Sequence, residues 1–72
     1  MAEDAGAAWQ LAKVFLKQRG YGEMYADTLK GVELEDDVWH ITAAFDYLGE
    51  LRRADVWIDS TTRKVIRYQV QP

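Results

Sequence analysis

The sequence has no cysteine, one proline and one histidine in 72 residues. Without cysteine, neither disulfides nor thiolate metal sites can staple the fold. A single histidine, His40, excludes a histidine cluster or a His–Cys pair for metal binding or nucleophilic catalysis. Positive charge is also scarce. Nine Lys and Arg against 12 Asp and Glu leave a net charge of −3, which argues against nucleic acid, whose phosphates need a basic face. No apolar run approaches the ~20 residues of a membrane-spanning helix, and the N-terminal Met-Ala-Glu-Asp is acidic where a secretion signal is basic. These absences point to a soluble chain, most simply cytoplasmic, with neither membrane nor nucleic acid among its partners. Met1 favours a complete chain; an exported setting is left for the case that the chain is a fragment. What is abundant is apolar: 49% of the residues, three Trp among them, too many for a disordered chain. At 72 residues this is one domain near the lower size limit for an unaided hydrophobic core, which favours a partner surface.

Residues Ala54–Tyr68 organise the rest. Val56 and Ile58 alternate with Asp55, Trp57 and Asp59, the period of a strand with two unlike faces. Asp59-Ser60-Thr61-Thr62 supplies short oxygen-bearing side chains that bond nearby backbone N–H groups in turns. Val65, Ile66, Tyr68 and Val70 then resume an extended segment. The string from Val56 through Asp59, Thr62 and Val65 to Ile66 resembles the closing hairpin of PepSY-type domains, which runs apolar-x-apolar-Asp-x-x-Thr-Gly-x-Val-apolar. The resemblance covers about the last third of the chain by motif and the remainder by element order. Arg63 stands where that pattern has Gly, and a left-handed backbone there costs a non-glycine residue roughly 1 kcal/mol. The resemblance implies a cystatin-like helix followed by antiparallel strands, and regulatory or inhibitory binding of the kind found in protease propeptides and sensory proteins. It assigns no binding residue, because the motif is structural.

Residues 3–18 read as a helix. Ala5, Ala8, Trp9, Leu11, Ala12, Phe15 and Leu16 fall in one stripe, Glu3 and Asp4 sit at its positive end, and Gly20 is suited to the stop. A first strand begins between Tyr25 and Leu29; Leu29 is out of phase with Val32 and Leu34, which calls for a bend or bulge at Gly31. Glu35-Asp36-Asp37 is a turn, Val38–Asp46 a strand, Tyr47-Leu48-Gly49-Glu50 a turn, and Leu51–Asp59 a returning strand. Pro72 closes the chain. The expected fold is α+β over residues 1–72: one N-terminal helix packed on one face of a three- to four-stranded antiparallel meander. The covered face should carry Trp39, Ile41, Ala43, Phe45, Val56 and Ile58 against Ala8, Leu11, Ala12, Phe15 and Leu16.

Chemistry is thin. His40 lies on the uncovered face beside Thr42 and Val38, with no Ser or Cys placed near it by sequence, so a half-exposed strand histidine is the simpler reading. Glu33, Glu35, Asp36 and Asp37 crowd the first turn without calcium-loop spacing; charge at a sheet edge that discourages pairing accounts for them. Asp46, Asp55 and Asp59 lack the cleft that splits a catalytic carboxylate pair. Arg52, Arg53, Lys64 and Arg67 form either a small basic patch or pairs with Asp55 or Glu50. No cofactor, metal or catalytic residue is expected.

Trp57 carries the functional expectation. Alternation sets it opposite Val56 and Ile58, on the face the helix leaves open, with Val38, Tyr68 or Val65 nearby. Against this stands a register shift, a bulge or the 21–29 segment burying it; both readings stay open. The expected interaction residues are Trp57, His40, Val38, Tyr68 and Arg53. The preferred function is a non-enzymatic protein-interaction module acting through its open sheet face, by self-association as a homodimer or by peptidase-modulating binding. The alternative is a small apolar-ligand site between helix and sheet, suggested by Trp9, Phe15, Trp39 and Phe45 on facing surfaces. A hydrolase built on His40 and a carboxylate needs a real pocket at Trp39–Thr42.

Overall fold

The computed structural model describes residues 5–22 and 25–71. One helix, α1 (Ala5–Gln18), precedes four strands: β1 (Tyr25–Glu35), β2 (Val38–Tyr47), β3 (Glu50–Asp59) and β4 (Val65–Gln71). The strands form one sheet in the order β1-β2-β3-β4, every pair antiparallel. This is the expected α+β meander, with four strands. The expectations that rest on Glu3, Asp4 and Pro72 lie outside the described residues.

Local rules explain the elements. Gly20, at φ 109°, ends the helix; Tyr21 N–H donates to the Leu16 carbonyl at 3.2 Å, closing a glycine C-cap. The first two hairpins turn on two residues with positive φ, Asp36 (53°) and Asp37 (64°), then Leu48 (53°) and Gly49 (83°), so the turn twist matches the strand twist. The third connection is longer. Arg63 N–H donates to the Asp59 carbonyl at 2.7 Å, and Arg63 itself takes the left-handed conformation at φ 62°, despite its side chain.

The core sits between the helix and the central strands. Ala8, Ala12 and Leu16 recur every four residues and are at most 1% exposed, as are Ile41, Phe45, Ala54, Val56 and Ile58. Alanine at 8 and 12 lets the helix backbone approach the sheet closely. Trp9, Leu11, Phe15 and Trp39 pack around this centre, partly buried. Ala54 joins the core beyond the expected set. Leu29 reaches the covered face through a register shift between Leu29 and Gly31, which reconciles it with Val32 and Leu34.

Candidate interaction site on the open sheet face

The two short turns fix the registers of β1, β2 and β3, and registers decide which side chains meet. Glu33 pairs with His40, His40 with Trp57, and Trp57 with Arg67, so one row crosses all four strands on the face opposite the helix. The next row runs Gly31, Thr42, Asp55, Gln69. Cross-strand neighbours on one face stand within side-chain contact, and His40, Trp57, Arg67, Thr42 and Asp55 use it.

His40 and Trp57 stack, with ring centroids 4.4 Å apart and planes 10° from parallel. The Arg67 guanidinium lies over the Trp57 ring at 4.6 Å, a cation–π contact. His40 Nε2 is 3.0 Å from Asp55 Oδ1, which also accepts a 3.1 Å bond from the Thr42 hydroxyl. Trp57 is thus on the open face and only partly buried, flanked by His40 on β2 and Arg67 on β4. Val38 and Arg53 share this face by register, and Arg53 is exposed.

Tyr68 does not belong here. It pairs with Val56 and its ring meets Phe15 edge-on at 4.9 Å, on the helix side of the sheet, where it stays exposed. Val65 pairs with Ile58 and packs against the core as well. The reason is an irregularity in β4: Ile58 pairs with Val65 and Trp57 with Arg67, so Ile66 is skipped and the alternation reverses. The same bulge delivers Arg67 to Trp57. Arg52 also leaves the expected basic patch; it faces the covered side, 2.9 Å from Glu50 Oε1.

The His40–Asp55 pair orients an imidazole as a catalytic pair does, but the nearby hydroxyl of Thr42 donates to the carboxylate and not to the ring, so the three groups form no nucleophile–base–orienter line. A depression of about 260 Å³ beside them is lined by Gly31, Val32, Glu33, His40 and Thr42. Among the described residues no group of three or more His, Asp or Glu is arranged to hold a metal ion. No helix among them is long and apolar enough to cross a membrane.

The aromatic residues of the helix–sheet interface have separate partners. Phe45 meets Tyr21 at 5.7 Å, Phe15 meets Tyr68, and Trp9 lies under the Lys13 ammonium at 5.0 Å. A depression of about 330 Å³ on that side lies along the outer flank of the helix, lined by Ala7, Gln10, Leu11, Val14 and Arg63. At the end of the sheet, Asp59 Oδ1 accepts backbone N–H bonds from Thr62 at 3.0 Å and Thr61 at 2.8 Å, which hold its pKa below the ordinary carboxylate value.

No family model, curated protein or solved structure matches the chain.

Three members of the site escaped the sequence reading. Glu33 and Asp55 were both available from turn arithmetic: a two-residue turn at Asp36-Asp37 sets Glu33 opposite His40, and one at Leu48-Gly49 sets Asp55 opposite Thr42. Arg67 was not available, because a bulge cannot be counted through.

Proposed function

We propose that this chain is a small non-enzymatic protein-interaction module that works through its open sheet face. The observation that carries the reading is the His40–Trp57–Arg67 stack: a tryptophan held in one orientation between two strands, on a face that no described element covers. Trp and Arg are the residues most often found at the energetic centres of interfaces. A fixed side chain loses little further rotamer entropy on binding. The likeness of the 56–66 hairpin to PepSY-type domains adds regulatory or inhibitory binding as the kind of role such a module plays.

The test is molecular mass in solution over a wide concentration range, for the wild type and Trp57→Ser, followed by capture of partners on each protein immobilised. Loss of self-association or of a captured partner in Trp57→Ser supports the reading. Association or capture that is equal for both proteins assigns the contact elsewhere and overturns it.

A further inference from the structure

The open face is polar across its strands. Glu33 and Glu35 stand on β1, at one margin; Arg67 stands on β4 at the other, with Arg53 on the neighbouring β3. In the row Glu33, His40, Trp57, Arg67, an acid and a base therefore close opposite ends. The next row ends in Gly31 and Gln69, the smallest side chain at one margin and a long amide at the other. A Cβ added at Gly31 would meet only the Thr42 Cβ, at 4.0 Å, so the depression of about 260 Å³ there is not demanded by packing within the chain.

We propose that a second copy of the chain covers this face, related to the first by a two-fold axis lying between the two sheets and parallel to the strands. This rests on the reading of the open face as an interface and names its occupant. Such an axis keeps the level of each row and reverses its order. Glu33 of one copy then lies over Arg67 of the other, His40 over Trp57, and Gln69 over the hollow at Gly31. An in-plane axis perpendicular to the strands lays β1 on β1 and β4 on β4, so the acidic margin of one copy never meets the basic margin of the other. Like charges across an interface are costly and opposite charges fix register, so the first arrangement is selected. Its geometry is that of aligned sheet packing, two sheets about 10 Å apart with strands roughly 30° from parallel. Four strands about 4.8 Å apart and some ten residues long present roughly 600 Å² in projection. Stable interfaces bury ~800 Å² per partner, which sets this dimer at the small end, dissociating within an accessible concentration range.

Sedimentation equilibrium at low salt tests it, on the wild type, Trp57→Ser, Glu33→Arg, Arg67→Glu, and an equimolar mixture of the two charge variants, with circular dichroism melts to verify folding. The wild type should dimerise, each variant alone should raise the dissociation constant at least tenfold, and the mixture should recover the wild-type value. Recovery is decisive, because Arg67→Glu also removes the contact on Trp57 within its own chain, and mixing cannot repair an intramolecular defect. A wild type that stays monomeric overturns the second copy as occupant and leaves the face to another protein. A dimer lost in Trp57→Ser but unchanged by both charge variants, or not recovered on mixing, overturns the two-fold arrangement alone. A dimer indifferent to all three substitutions overturns both this inference and the functional reading beneath it.

Discussion

On β2 and β3, residues one position apart live under different physics. Ile41, Phe45, Val56 and Ile58 face the helix at 1% exposure or less and are held by shape and exclusion of water. His40, Thr42, Asp55 and Trp57, on the same two strands, stay partly exposed and are held by a stack and two hydrogen bonds to one carboxylate oxygen. The covered face therefore supplies the bulk of stability, and the open face supplies order. Directional contacts in partial solvent contribute little net free energy, because each replaces a bond to water. They do fix where each group points, and a fixed surface is what binding needs.

The sharpest way to break this contrast is Phe45→Ala. Removing a fully buried ring should cost about 3–5 kcal/mol in urea unfolding, a large share of the 5–15 kcal/mol typical of a domain. Asp55→Ala, which strips both His40 and Thr42 of their acceptor, should cost only about 1–2 kcal/mol by the same measurement. Equal losses for the two variants would show that the open face is as much a source of stability as the core, and the division drawn above would fall.

Asp59→Asn sharpens the comparison at the turn that joins β3 to β4. The Asp59 pKa is lowered in the folded protein by the Thr62 and Thr61 N–H groups, so the carboxylate form favours the fold. Its contribution is complete above the unfolded carboxylate value of about 3.9 and is lost as pH falls through the lower folded value. The wild type should therefore exceed Asp59→Asn in urea midpoint at pH 7, with the gap closing below about pH 4. A gap that is independent of pH would remove the charge from the account of the turn.

The smallest effect is expected at Leu48, 70% exposed with φ 53° in the second turn. Leu48→Asn should stabilise by up to about 1 kcal/mol, seen as a rise in thermal midpoint, since Asn tolerates the left-handed conformation that a Leu side chain resists. No change would mean that Leu48 makes a compensating contact on the surface.

Much of this architecture was legible beforehand because it rests on short-range rules. The spacing of Ala8, Ala12 and Leu16 gave the helix its buried face. Gly20 marked its end, Asp36 and Asp37 a left-handed turn, and the phase conflict between Leu29 and Val32 a bulge. On β2 and β3, alternation placed Trp57 and His40 on the open side. Tyr68 was misplaced because a single skipped residue, Ile66, reverses a period of two, and nothing in VIRY declares that skip. Trp39 illustrates another limit: its Nε1 is buried without a hydrogen-bond partner among the described residues, which no pattern of apolar positions reveals.

By itself, then, the sequence determined the element order, the two tight turns and the parity of the central strands, since each depends on residues within a few positions of one another. Only the tertiary structure decided that His40, Asp55, Trp57 and Arg67 form one connected surface. Their meeting depends on registers summed across three strand pairs, two of them with register shifts, and on a helix that packs on one face of the sheet and leaves the other to them.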